Sequence, residues 1–363
     1  MWLKSISILN FKNIREASVE FCPGVNCLVG ANGMGKSNLL EAVYYLSMTR
    51  SFLRLPDSEV LRRGAEAMSV RGEYDLGDGR TDTVKIGYVP PRRKTLHRSG
   101  KEERRMSAHI GLFPVVLVSP QDHYIITGSP DERRRLMDMV ISQGDSIYLE
   151  ALIRYGKALT TRNSMLRNGI SDALLMEGVE TQMIHEADII HSRRQQWVES
   201  MSAPFSRYYS SIAGTDESPG LLYRSILDTT SLQQALDAAR AKDSLLGYTT
   251  VGVHRDDLIM QLDGSDLKHF GSQGQMKTYT IALRMAIYEC LNASRGVRPL
   301  LLLDDIFDKL DASRVANIMK LVSTTDTFGQ IFITDTGREN MDAVLESVTG
   351  PKKLYTVTDG EYK

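Results

Sequence analysis

Short unbroken apolar runs alternate along this chain with longer stretches whose apolar positions recur at helical intervals. "VNCLV" (25–29), "PVVLV" (114–118) and "LLLL" (300–303) read as strands buried on both faces, because strands covered on both sides lose the in–out alternation of a half-exposed sheet. After the first run, Leu39, Leu40, Val43, Tyr44 and Leu46 fall at helical spacing, as do Ile281, Met285 and Tyr288 within "GSQGQMKTYTIALRMAIYECL". "SPDERRRLMD" opens a helix by its residue order: Ser129 as N-cap, Pro130 in the first turn and Glu132 closing a capping box. Long helical stretches follow over roughly 147–167 and 178–211, separated by "RNGISDALLMEG". A "DESPG" turn (216–220) and a helix around 230–246 lead back to the sheet. The economical arrangement is an α/β head interrupted by a helical hairpin, with residues 1–128 and 247–363 forming the head and 129–246 an inserted helical arm domain.

Composition narrows the picture only a little. The 363 residues suffice for two domains, and 42% apolar with 25% charged residues is ordinary for a globular protein. Lysine plus arginine (44) nearly balances aspartate plus glutamate (45), so a charged partner can be read only from local patches. No apolar run approaches a membrane span, the N-terminus lacks a signal-peptide layout, and cytoplasm is the expected compartment. Cys22, Cys27 and Cys290 have no paired metal spacing and read as small buried hydrophobes.

Candidate chemistry begins at "GANGMGKS" (30–37), which satisfies G-x-x-x-x-G-K-[ST] through Gly30, Gly35, Lys36 and Ser37. Glycines let successive backbone N–H groups curl inward at phosphate oxygens, and the helix that follows adds its positive end. The expected nucleotide-binding set is Gly30, Ala31, Asn32, Gly33, Met34, Gly35, Lys36, Ser37 and Asn38. Lys36 would reach the β and γ phosphates and the Ser37 hydroxyl would ligate Mg2+. A chance glycine turn is disfavoured by the buried strand before the loop and the helix after it.

Downstream, "RPLLLLDDIFDKLD" (298–311) places Asp304 and Asp305 at the C-terminal end of the leucine strand, where α/β sheets bind ligands. Asp304 would hold Mg2+ through water and Asp305 would polarise the attacking water. Ser272, Gly274 and Gln275 open the later helix and offer an anion site at its N-terminus; a plain capped helix is the alternative on those residues alone.

In this order, the P-loop, the serine–glycine–glutamine helix start, the aspartate-tipped strand and "DKLD" resemble the ATP-binding-cassette (ABC) ATPases, in the branch of the chromosome-maintenance and recombination ATPases. More closely, the chain resembles end to end the RecF family of bacterial recombination mediators, through "LNFKNI" (9–14), "YYLSMTRSF" (44–52), "SPQDHYIITGSPDERRRLMD" (119–138), "GVHRDDL" (252–258) and "SQGQ" (272–275). The resemblance implies an α/β fold, an ABC-type P-loop ATPase head with an inserted α-helical domain, and ATP sandwiched between two copies of that head. Carried over by residue, Lys36, Ser37 and Asp304 would hold nucleotide and Mg2+, and Asp305 would be the catalytic carboxylate. Ser272, Gly274 and Gln275 would reach the γ-phosphate from the opposite subunit, with Asp308 and Asp311 lining the seam. Gln121 falls where the family places its magnesium-sensing loop. The implied function is an ATP-driven homodimer that clamps duplex DNA near single-strand gaps and helps partners load the recombinase, hydrolysis resetting it; the family's partners are RecR and RecO.

Departures from transporter-type ATPases shape the expectation. Gly271 and Gln273 replace the usual leucine and second glycine of the signature, and Asp305 replaces a glutamate, which implies slow hydrolysis. Thr334 and Asp335 stand where transporters keep a switch histidine. "PRRKTLHRSGKEERR" (91–105) reads as a hairpin tip or loop, and Arg92, Arg93, Lys94, Arg98, Arg104 and Arg105 are its candidate DNA contacts. Arg133, Arg134 and Arg135 are a second basic set that one helix cannot face one way. His254, Arg255, Asp256 and Asp257 form a polar knot, read equally as a salt-bridge cluster or a nucleotide sensor. Two other functions stay open: the ATPase subunit of a membrane importer, which predicts a fuller signature, and a soluble P-loop kinase, which leaves "SQGQ" and "DKLD" without a role.

Overall fold

The computed structural model describes every residue except 78, 92–93, 171, 309 and 324–326. The chain divides into two compact units: Met1–Asp122, Ser211–Gly214 and Thr280–Lys363 form the first, and His123–Ser210 with Thr215–Tyr279 the second. Residues 247–279, expected with the head, therefore pack in the second unit.

In chain order the first unit supplies β1 (Trp2–Phe11), β2 (Ile14–Glu20), β3 (Val25–Val29), β4 (Met68–Gly77), β5 (Arg80–Tyr88), β6 (Thr95–Arg98), β7 (Lys101–Glu102) and β8 (Val115–Val118). The second unit holds β9 (Pro219–Arg224), β10 (Asp257–Leu262) and β11 (Ser265–Asp266). β12 (Leu300–Asp304), β13 (Ile331–Asp335), β14 (Lys352–Thr358) and β15 (Glu361–Tyr362) return to the first.

Two sheets organise the first unit. One is antiparallel, in the order β2-β1-β4-β5-β6-β7; the other runs β15-β14-β3-β13-β12-β8. In the second sheet β14, β3, β13, β12 and β8 are mutually parallel, and every residue of β3, β8, β12 and β13 is buried, as their unbroken apolar runs require. The register aligns Leu303 with Val118 and with Ile333, and Asp335 with Val29. The carboxyl ends of β3, β13, β12 and β8 thus share one edge, and a loop leaving any of them meets the others there.

The helix Lys36–Met48 is buried along nearly its whole circumference and touches strands of both sheets. A helix covered on all sides belongs to the core rather than to a surface, which explains why its Glu41 needs the Lys12 ammonium and the Ser51 hydroxyl (2.5 Å) as partners.

The second unit is mainly helical: Pro130–Gly144, Ser146–Arg167, most of Ala173–Ala213 and Leu232–Leu246, with the small sheet β11-β10-β9. The linker "RNGISDALLMEG" is shorter than its composition suggests, because the long helix already begins at Ala173. The capping box expected at Ser129 is absent: Ser129 is the N-cap but its side chain accepts no cap hydrogen bond, and Glu132 pairs with Arg135 at 3.2 Å. Arg162 at 1% exposure and Arg194 at 2% lie deepest among the buried arginines described in this unit. Arg162 donates to Glu180 (2.9 Å), Asp243 (2.7 Å) and Thr249 (2.9 Å), so its burial is matched by acceptors.

Candidate functional site

β3 ends in the glycine loop, and the backbone accounts for its glycines. Gly33 and Gly35 sit at φ 81° and 110°, a region that side chains resist. Gly30 has an ordinary φ, but a Cβ there would lie 2.4 Å from the Val357 carbonyl oxygen on β14. The loop is also tied from outside its own motif. Asn13 Nδ2 donates to the Gly33 carbonyl (3.1 Å) and Asn38 Nδ2 to Asn13 Oδ1 (2.6 Å). The Gly360 N–H donates to the Met34 carbonyl (2.9 Å) and the Tyr362 hydroxyl to the Gly35 carbonyl (3.0 Å). Asn13, Gly360 and Tyr362 were not singled out from sequence. Asp359-Gly360 is a two-residue hairpin signal that marks the turn between β14 and β15, but nothing in it announces the loop it braces.

Lys36 is buried at the start of the helix, and its ammonium donates to the Gly30 carbonyl (2.6 Å) and the Ala31 carbonyl (3.0 Å). Burial pushes its pKa down, opposed by the Asp305, Asp304 and Asp335 carboxylates. An amine held within its own loop, with a carboxylate cluster keeping it charged, is placed to exchange carbonyl partners for phosphate oxygens.

Three elements converge on Asp304 at the end of β12. The Ser37 hydroxyl donates to Asp304 Oδ1 at 2.8 Å, and the Thr334 hydroxyl, from β13, donates to the same oxygen at 2.7 Å. Burial raises the Asp304 pKa, with the Thr334 and Ser37 hydrogen bonds opposing it. Asp305 follows at φ 50°, its N–H shared between the Thr334 carbonyl (3.2 Å) and the Thr334 hydroxyl (3.1 Å). Asp335, expected near the place of a switch histidine, accepts from the Gly337 N–H (2.7 Å) and from Asn340 (3.0 Å). Among the described residues no group of three or more His, Cys, Asp or Glu would hold a metal unaided. A hydroxyl and a buried carboxylate beside a phosphate loop are hard oxygen donors, the set that suits Mg2+ shared with a nucleotide. Gln121 is exposed in a turn just beyond β8, on the same carboxyl edge; its neighbour Asp122 anchors that turn through Arg284 (2.7 and 3.0 Å).

The remaining candidates are distributed differently. Ser272 is exposed in the second unit, where it forms the reciprocal capping box: its N–H donates to Gln275 Oε1 (2.8 Å) and its hydroxyl accepts from the Gln275 N–H (3.2 Å). Gln275 also donates to Glu217 (2.6 Å), so its amide is engaged at both ends, and Gly274 lies between them in the first turn. Asp311 is exposed and accepts from the Ser313 hydroxyl (2.6 Å) and the Arg314 N–H (2.9 Å); the Ser313 bond leads in lowering its pKa. Asp308 is exposed in the turn after β12.

The basic segment forms β6 and β7, a hairpin turning through Ser99 and Gly100 at the edge of the antiparallel sheet. Arg92 and Arg93 lie outside the described residues. Lys94 does not face outward as supposed: its ammonium donates to the Thr49 carbonyl (2.6 Å), pairs with Asp57 (2.9 Å) and sits 5.3 Å from the Tyr45 ring centre. Arg98 pairs with Glu103 at 3.3 Å, and Arg104 and Arg105 are exposed.

In the second unit the polar knot is tied together by ion pairs and hydrogen bonds. Arg133 makes a bidentate pair with Asp257 (2.7 and 3.0 Å), Arg134 bonds the Asp256 carbonyl (2.5 Å), and Arg194 bonds Asp256 (2.8 Å). His254 contacts the Tyr155 hydroxyl (2.8 Å) and the Thr249 carbonyl (3.1 Å), and burial lowers its pKa to about 4.

Residues 2–359 match the RecF/RecN/SMC N terminal domain. A DNA replication and repair protein RecF of Parabacteroides distasonis is 46% identical over 361 residues, covering 99% of this chain and 98% of the relative. That of Porphyromonas gingivalis is 44% identical over 362 residues, covering 99% of both. A solved structure of the recombination mediator protein RecF-ATP in the RecFOR pathway is similar at TM-score 0.89 and 31% identity, over 100% of this chain and 98% of that one. An Smc head bound to the C-terminal winged helix domain of ScpA shares the fold at TM-score 0.60 and 17% identity, over 100% and 96% of the chains.

Proposed function

The chain belongs to the RecF family of DNA replication and repair proteins, and on that premise we propose that it is an ATP-dependent DNA-binding switch of recombinational repair. The observation that carries the nucleotide half of this reading is the convergence of Ser37 and Thr334 on Asp304 beside the Lys36 ammonium. The glycine loop's N–H groups and Lys36 bind the phosphates. Ser37 would ligate Mg2+ and Asp304 would hold it through water, and the ion when bound supplies charge neutralisation to the phosphate oxygens. Gln121 faces the same edge and reports the nucleotide's state to the turn anchored by Asp122. Asp305 orients the attacking water and takes its proton, and its carboxylate, one methylene shorter than the glutamate of transporters, makes hydrolysis slow.

ATP joins two copies of the chain, with Ser272 of one copy capping the γ-phosphate held by the other and Asp308 and Asp311 at the seam. Gln275 there exchanges its capping role for the nucleotide, which the short Ser272–Gln275 box permits. Two sandwiched nucleotides bias open against closed dimers by several kcal/mol, enough to change DNA affinity by orders of magnitude. Duplex DNA near a gap is the partner, with Arg98, Arg104 and Arg105 as contacts and Lys94 withdrawn from that role. The solved RecF of the RecFOR pathway supports RecR and RecO as protein partners. Against a membrane importer stand Gly271 and Gln273, in place of the leucine and second glycine of a transporter signature.

Sedimentation of the wild type and Ser272→Arg with ATP and Mg2+, with and without a gapped duplex, tests the switch. Dimerisation and DNA binding by the wild type, both blocked by the arginine while ATP still binds, is the expected result. A wild type that stays monomeric, or dimerises without gaining DNA affinity, refutes it.

A further inference from the structure

We propose that Thr334 is the positioning residue that holds the Asp304 carboxylate and the Asp305 backbone of the proposed nucleotide site in one geometry, and that it tunes the site's response to Mg2+. This inference rests on the nucleotide reading above and goes beyond it. Thr334 has 0% exposure and sits on β13, between the strand that ends in the phosphate loop and the strand that ends in Asp304; its register partners are Leu28 on one side and Asp304 on the other. Its hydroxyl makes two bonds of opposite sense. The Asp305 N–H can only donate, so the Thr334 oxygen accepts there at 3.1 Å, which leaves its own proton for Asp304 Oδ1 at 2.7 Å. One side chain therefore fixes the rotamer of the metal-side carboxylate and the backbone from which Asp305 departs at φ 50°.

The role differs from that of Ser37. Ser37 is itself a candidate metal ligand, and its bond to Asp304 (2.8 Å) draws on the same hydroxyl that would meet the ion. Thr334 donates to the same oxygen from a fully buried strand, and orients the carboxylate without being a ligand. Partners in that position are commonly worth ten- to hundredfold in metal affinity, because a ligand that is not held must be ordered at each binding event. The position also answers what replaces a switch histidine here. The Thr334 hydroxyl bonds the Asp304 carboxylate and the Asp305 N–H, and the neighbouring Asp335 carboxylate accepts from Gly337 and Asn340.

The test is equilibrium binding of a fluorescent ATP analogue to the full chain across a MgCl2 series, with Thr334→Val, which keeps shape and removes the hydroxyl, and Thr334→Ser, which keeps the hydroxyl. The valine variant should need roughly ten times more Mg2+ or beyond to reach the wild-type affinity. Its metal-free affinity should be unchanged, and the serine variant should follow the wild type. Should the valine variant not fold, Thr334→Ala carries the same expectation. A loss that is equal with and without Mg2+ overturns the inference, as does an unaltered Mg2+ series or a serine variant that behaves as valine does. A wild type that binds no nucleotide at any Mg2+ concentration overturns the nucleotide reading and this inference together; a wild type that responds to Mg2+ beside a valine variant that responds equally overturns this inference alone.

Discussion

Replacing Arg194 by methionine should cost the second unit about 3–5 kcal/mol, the usual penalty for removing one partner of a buried ion pair. The guanidinium lies at 2% exposure and donates to Asp256 (2.8 Å), Asp138 (2.8 Å), the Val253 carbonyl (2.8 Å) and, through Nε, the Tyr148 hydroxyl (3.0 Å). Asp138 can turn to water, being half-buried, but Asp256 cannot: it is 2% exposed, and the neutral side chains of Tyr223 (2.5 Å) and Ser225 are what remain to it. Burial already raises the Asp256 pKa, with Arg194 as the first opposing charge. Without that charge the carboxyl is raised further. The penalty is then present at neutral pH, where Asp256 must be ionised, and it shrinks as pH falls through the raised pKa and the carboxyl takes up a proton. The chain's two tryptophans are Trp2 and Trp197, so a Trp2→Phe background lets Trp197, one turn from Arg194, report urea unfolding of the second unit. Arg194→Met with Asp256→Asn should recover a large part of the loss. A loss under about 1 kcal/mol, or no recovery in the double variant, would refute the claim that Asp256 is held as a buried charge by Arg194.

Three further outcomes are expected. His254 stays neutral in the folded protein down to about 4, whereas an unfolded histidine takes a proton near 6.5, so stability should fall by up to about 3 kcal/mol between pH 6.5 and 4 and level off below; His254→Gln should flatten that part of a pH–stability curve. Tyr362→Phe removes the donor to the Gly35 carbonyl and should weaken ATP-analogue binding by about 1 kcal/mol in a fluorescence titration, with no change indicating that the glycine loop holds its shape unaided. Arg105→Ala should lower the slope of log affinity for duplex DNA against log salt by about 1, while Lys94→Ala should leave the slope alone and lower the melting temperature; a changed slope for Lys94 would return it to the DNA surface.

What was legible in the sequence was what a local rule encodes. Unbroken runs such as Leu300–Leu303 have only one comfortable place, a strand covered on both faces, and once four such strands run parallel the residues after them share an edge. The spacing of Gly30, Gly35, Lys36 and Ser37 is likewise local. Competition between partners was not legible. Ser129–Glu132 and Ser272–Gln275 carry the same serine-to-acid-or-amide spacing, yet only the second closes a box: the Ser129 side chain accepts no cap bond, and Glu132 pairs with Arg135. Lys94 looks like its basic neighbours in sequence, and the nearness of Asp57, the Thr49 carbonyl and the Tyr45 ring turns it inward. Asn13 and Tyr362 reach the glycine loop from opposite ends of the chain, a meeting that only the sheet order creates.

That sheet order also sets a timetable for synthesis. β3 finds its two neighbours in β13 and β14, at residues 331–335 and 352–358, so the strand that ends in the glycine loop leaves the ribosome some 300 residues before either. At bacterial translation rates this is on the order of 15–60 s during which "VNCLV" has both edges unpaired and no sheet to join. An exposed aliphatic strand of that kind is a template for pairing with other chains and a natural holding site for a chaperone. Nascent chains arrested anywhere before residue 331 should therefore bind no nucleotide, however complete their P-loop motif.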